Sequence, residues 1–112
     1  MLPNGRRLGA HLPLGDGMVR AADRAGDIGA SSIQVFTDNP TSWRRRATLP
    51  DELPAFRERL ATRGVDEVVI HAPYLVNLAG PEPGPYARSI AVLAHELRVA
   101  HAYGATIVNV HV

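Results

Sequence analysis

Two histidines close two apolar runs, and this repetition is the strongest chemical signal in the 112-residue sequence. His71 ends Val69-Ile70-His71 and is followed by Ala72-Pro73-Tyr74, while His111 ends Ile107-Val108-Asn109-Val110-His111. Matching histidines at the ends of two buried strands are the pattern of a metal site at the C-terminal edge of a parallel sheet. A rigid strand there fixes the direction of a neutral imidazole donor. The competing reading of either one is a core histidine bonded to a backbone carbonyl. The chain has no cysteine, so a metal would have to be held by His, Asp, Glu or water. His11 shares the edge, as a ligand, as a donor to a ligand, or as a structural group. Asn109 lies on the same side of its strand as His111. His95 and His101 stand six positions apart on a helix, not the four that would make a His-Glu-x-x-His site. His95 is expected to be exposed, and His101 favours the helix dipole.

Other side chains suit a polyanion. Trp43-Arg44-Arg45-Arg46 offers an exposed indole beside three guanidinium groups that can bond phosphates, although most arginine runs are solvated surface. Tyr74, after a proline at the mouth, has a ring that can stack on a nucleotide. Asn77 either serves the site or bonds its own loop, the commoner use.

Composition is that of a globular domain, with 46% hydrophobic and 21% charged residues. A net charge of +1 neither demands nor excludes nucleic acid. No apolar segment reads as a signal peptide or a membrane span, so a cytoplasmic protein is expected. The sequence stops at Val112, one residue past a strand-ending histidine, and reads as a partial domain over residues 1–112, cut after its fourth strand.

The elements that must carry these groups alternate. Leu8-Gly9-Ala10-His11-Leu12 is the first strand, and Asp16 is available as the cap of a helix running from Met18 to a stop at Gly29. Ser32 to Thr37 is the second strand, followed by a long loop from Asp38 to Arg46. Asp51 can cap a second helix, with Leu53, Phe56 and Leu60 buried and Gly64 as its stop. Val65 to His71 is the third strand. After a Pro/Gly loop at Pro81 to Pro85, Ile90, Leu93, Ala94, Leu97 and His101 mark one face of the longest helix. Gly104 ends it, and Ala105 to His111 is the fourth strand. The order βαβαβαβ implies four parallel strands with right-handed crossovers. Each strand has one apolar face and one face that turns polar near its C-terminal end, as in a barrel lumen opening on a mouth. The expected fold is the N-terminal half of a (β/α)8 TIM barrel, in preference to a Rossmann sheet, because no Gly-x-Gly-x-x-Gly follows the first strand.

Three segments, in order, resemble the endonuclease IV (deoxyribonuclease IV) family of the xylose-isomerase-like barrels. They are Gly9-Ala10-His11, Gln34 through Arg44, and His71-Ala72-Pro73-Tyr74-Leu75-Val76-Asn77-Leu78, with Gly104 to His111 similar to the family's fourth strand. The resemblance implies a zinc-dependent enzyme of base excision DNA repair that cuts the phosphodiester 5′ to an abasic site. It implies three zinc ions in the full-length enzyme, with His71 and His111 among their ligands and the other ligands beyond Val112. It further implies that Tyr74 enters double-stranded DNA beside the lesion, that the loop of Thr41, Ser42, Trp43 and Arg44 presses into the minor groove, and that the full-length protein is monomeric. Threonine at position 41 departs from members with a longer side chain there. His11, Asn77 and Asn109 are candidates to support the ligands from behind. The alternatives are a sugar isomerase or epimerase on the same barrel, using one divalent metal and no DNA, and a non-catalytic truncated product. Because the metal shell is incomplete, the 112-residue chain alone is expected to be inactive.

Overall fold

The computed structural model describes residues 3–111. After a short 3-10 turn at Pro3–Gly5, strands and helices alternate as β1 (Gly9–His11), α1 (Met18–Asp27), β2 (Ser32–Val35), α2 (Leu53–Thr62), β3 (Glu67–His71), α3 (Pro83–Ala100) and β4 (Ala105–Asn109). The strands form one parallel sheet in the order β1-β2-β3-β4. The expected order of elements is therefore observed.

The strands are shorter than the sequence suggests. Leu8 lies outside β1, where its backbone bonds Ser31 and its side chain is exposed. Phe36 and Thr37 follow the end of β2, and His111 lies two residues beyond β4. β1 approaches β2 closely at Gly9. A methyl group there would sit 1.8 Å from the Ser32 carbonyl oxygen, so only glycine allows this pairing.

Residues facing the helices form the core. Ile33, Val35, Val68 and Ile70 of the sheet pack against Met18, Ala22 and Ala25 of α1 and Leu53, Phe56 and Leu60 of α2. α1 and α2 end alike. Gly29 and Gly64 adopt left-handed backbone, with φ of +74° and +76°. The Ala30 N–H then reaches the Ala25 carbonyl and the Val65 N–H the Leu60 carbonyl, both at 2.9 Å. These are Schellman closures, and they turn each helix directly into the next strand.

The two expected acidic caps are not used. Gly17 precedes α1, and Glu52 Oε2 accepts the Met18 N–H at 3.2 Å, so an acidic side chain from the start of α2 does what Asp16 was expected to do. Glu52, not Asp51, occupies the cap position of α2, with no side-chain cap of its own.

The face of α3 is also corrected. It buries Ser89, Val92, Glu96 and Ala100, while Ile90 and Leu97 are 47% and 58% exposed. Leu93, Ala94 and His95 are half-buried, so His95 is less exposed than expected, and His101 is exposed at the helix end. Apolar spacing misplaced the face because two polar side chains point inward and have partners there. Ser89 Oγ accepts the Asn77 N–H and donates to the Pro85 carbonyl, and Glu96 is paired within the loop cluster.

β3 and β4 are joined through a β-bulge. Val68 pairs with Ala105 but Val69 pairs with Ile107, leaving Thr106 as the extra residue. From there the register runs Ile70 to Val108 and His71 to Asn109.

Candidate functional site

The C-terminal edge of the sheet gathers most of the residues singled out by their chemistry. His71 is buried at the end of β3. Its Nδ1 donates to the Ala72 carbonyl at 2.5 Å, which leaves the lone pair on Nε2. That Nε2 lies 3.1 Å from Nε2 of His111. Two imidazole nitrogens converging in this way either share a proton or both face a common cation. A carbonyl bonded to the distal nitrogen is the usual support for a metal-binding histidine.

Phe36 packs between the other aromatic groups. Its ring centroid lies 4.6 Å from His11, 5.1 Å from His71 and 5.1 Å from Tyr74. His11 is 6.1 Å from His71 by the same measure, so it stands beside the pair rather than in it. A hydrogen-bonded row crosses the lumen face below. Asn109 donates to Gln34 Oε1 at 3.0 Å, and Gln34 Nε2 lies 3.0 Å from His11 Nδ1. Partial burial, and then the charge of His71, hold His11 below the ordinary imidazole pKa. Asn77 takes the local role, its Oδ1 accepting the Ala79 N–H at 2.9 Å.

The loop after β2 is tied down at several points. Asn39 Oδ1 accepts both the backbone N–H and the hydroxyl of Thr41, and Ser42 Oγ accepts the Arg44 N–H. The Tyr74 N–H donates to the Pro40 carbonyl at 3.0 Å, which fixes Tyr74 to the same loop, and the residue is 60% exposed. Trp43, expected to be exposed, is half-buried against Ala72, Val76 and Val92. The arginine run divides by role. Arg46 faces Asp38, Arg45 is buried against Glu96, and Arg44 is exposed with no side-chain partner among the described residues.

Sequence reasoning missed Gln34, Phe36, Arg45 and Glu96 as parts of this edge. For the first two the signal was present, since alternation puts both on the lumen side of the second strand. Glu96 gave no such signal, because a charged residue on a helix normally faces water.

A sequence model of the xylose isomerase-like TIM barrel family matches residues 22–112. The chain belongs to that family. Within it, the chain is 39% identical over 104 residues to a probable endonuclease 4 from Halorhodospira halophila, covering 93% of this chain and 35% of the relative. It is 37% identical over 106 residues to a probable endonuclease 4 from Natranaerobius thermophilus, covering 95% and 37%. The crystal structure of endonuclease IV from Thermus thermophilus superposes with a TM-score of 0.82 at 40% identity, covering 95% of this chain and 40% of that one. The fold is thus that of the N-terminal part of an endonuclease IV barrel. The chain spans 35–40% of the length of these proteins. In this TIM-barrel segment, the described residues contain no group of three or more His, Cys, Asp or Glu side chains placed to hold a metal. No helix among them is long and apolar enough to cross a membrane.

Proposed function

We propose that this chain contributes the N-terminal part of a zinc-dependent endonuclease that cuts DNA 5′ to abasic sites. The observation that carries the reading is the convergence of His71 and His111 through their Nε2 atoms, 3.1 Å apart, beside the exposed ring of Tyr74. The pair suits zinc, because His71 is already held in the tautomer that presents Nε2. Zinc held there would supply positive charge to the phosphodiester as negative charge develops during hydrolysis.

The remaining work belongs to the chain's own side chains. Tyr74 is fixed by its backbone bond to Pro40 and its packing on Phe36, so its exposed ring is aimed at a duplex without a large entropy cost. Arg44 is free to meet a phosphate, and Thr41 and Ser42 stand beside it on the same loop. Phe36 closes the floor of the mouth, and the row from Asn109 through Gln34 to His11 orients the polar side of the lumen. A missing base leaves nothing to unstack, so a wedge of this kind favours the abasic position.

A chimera joining residues 1–112 to the C-terminal part of the Thermus thermophilus enzyme tests the reading. It is expected to incise a duplex carrying one tetrahydrofuran residue, on the 5′ side, and to lose that activity on zinc chelation. The 112-residue chain alone is expected to leave the same duplex intact. A chimera that folds but does not cut, and instead isomerises an aldose or ketose, would move the assignment to the sugar isomerases.

A further inference from the structure

Beneath the loop that carries Thr41 to Arg44 lies a buried ion pair. Arg45 Nη1 bonds Glu96 Oε1 at 3.0 Å, and the two side chains are 8% and 1% exposed. Arg45 Nη2 donates to the carbonyls of Asn39 at 2.7 Å and Ser42 at 2.5 Å. Those carbonyls flank Pro40 and Thr41, so the loop's apex is folded around one guanidinium. The other oxygen of Glu96 accepts the Thr37 hydroxyl at 2.6 Å, which ties α3 to the end of β2.

Burying an ion pair is a costly way to stabilise a fold, and an apolar pair of similar size usually serves as well. Arg45 Nε is, in addition, buried without a partner. The arrangement is therefore poorly explained by stability alone. It does explain a defined loop shape, because only a planar fork with several donors can hold a carboxylate and two carbonyls together.

We infer that Arg45, held by Glu96, is a positioning residue that sets the loop from Asp38 to Arg44, and through Pro40 also Tyr74, in the shape that reads the lesion. Arg45 touches no substrate in this arrangement. It acts by keeping the exposed groups of the loop in one conformation before DNA arrives. The DNA arm of this inference rests on the nuclease reading, whereas its loop arm does not.

The chain has one tryptophan, Trp43, two residues before Arg45 and packed on Ala72, Val76 and Val92. Its emission reports the docking of the loop directly. In the 112-residue chain, Arg45→Lys keeps a charge for Glu96 but loses the fork to the two carbonyls. The expected result is an unchanged far-ultraviolet circular dichroism spectrum, a red-shifted and more readily quenched Trp43, and faster amide exchange over residues 39–44. Binding to a labelled duplex with one tetrahydrofuran residue should weaken about tenfold, as the competent loop population falls to about a tenth. Binding to the intact duplex should weaken less. Glu96→Gln, which keeps hydrogen bonds but removes the charge, should act in the same direction with a smaller effect, and it decides the matter if the lysine variant fails to fold. Native Trp43 emission and native exchange in folded Arg45→Lys would overturn the inference. Equal loss of both duplexes would overturn its lesion-reading part. A native chain that binds the two duplexes equally would count against the nuclease reading instead, and the loop signals would still decide the role of Arg45.

Discussion

α1 and α2, and α3 after them, pack on the same sheet but solve the packing problem with opposite chemistry. The first two bury apolar stripes, Met18, Ala21, Ala22 and Ala25 on α1 and Leu53, Phe56 and Leu60 on α2. Their charges stay outside, where Arg59 meets Asp23 and Arg63 meets Asp27. α3 instead turns Ser89 and Glu96 inward and leaves Ile90 and Leu97 on its outer face. The difference follows from what each helix supports. α1 and α2 hold only the sheet and each other, so hydrophobic burial suffices. α3 also holds two loops at the mouth, and loops are made of backbone groups that need hydrogen-bonding partners.

This contrast can be broken most forcefully at its two centres. Phe56→Ala should cost about 3–5 kcal/mol through the cavity left in the core. Glu96→Ala should cost a similar ~3–5 kcal/mol by leaving Arg45 buried and unpaired. Denaturant unfolding measures both, and Trp43 emission separates them. Native Phe56→Ala keeps the native emission, whereas native Glu96→Ala shifts it to the red. A Glu96→Ala loss below that of an ordinary surface substitution would show that α3 is not built differently from α1 and α2 after all.

A smaller effect sharpens the comparison from the outside. Arg59→Ala removes the 2.7 Å pair with Asp23, where both side chains are more than a third exposed. Solvent screening limits the expected loss to about 0.2–1 kcal/mol, and added salt should shrink it. A loss as large as that of Glu96→Ala would mean that the outer charges carry the helix pair.

The smallest effect lies at the opposite end of the sheet. Arg7 donates to Asp66 at 2.8 Å, and this bond holds the Asp66 carboxyl below its ordinary range. The unfolded chain therefore binds a proton here at a higher pH than the native one. The pair's contribution is present above the ordinary carboxylate pKa and fades as pH falls through the lowered native value. Asp66→Asn should lower stability slightly at neutral pH and leave it nearly unchanged in acid, so that the acid limb of the stability profile flattens. A loss that persists undiminished in acid would contradict the assignment.

Legibility in the sequence followed the same division. The stripes of α1 and α2 and the stops at Gly29 and Gly64 could be read directly, because apolar periodicity and left-handed glycine turns are local rules. His71 and His111 were legible as strand-ending groups, and the structure brings them together. The face of α3 was misread because its inward polar groups are satisfied by residues 12 or more positions away, such as Asn77, Thr37 and Arg45. Trp43 and Arg45 were assigned to the surface for the same reason. Nothing local says that an arginine in a run of three will find a buried glutamate 51 residues later.

The bulge at Thr106 sets how this site can change by descent. Had Val69 paired with Thr106, each later residue of β4 would sit one place further along β3, and Val108 would stand opposite His71. By alternation His111 would then point to the helix side, away from His71. The extra residue reverses that parity, so Asn109 stands opposite His71 and His111, two positions on, faces the same lumen. Substitutions can therefore explore much of the fourth strand while the histidine pair stays intact. Loss of Thr106 alone would straighten the strand and keep this register, whereas a single-codon deletion between Ile107 and His111 would dissolve the pair without altering either histidine. Along this strand, the number of residues is itself part of the inherited site.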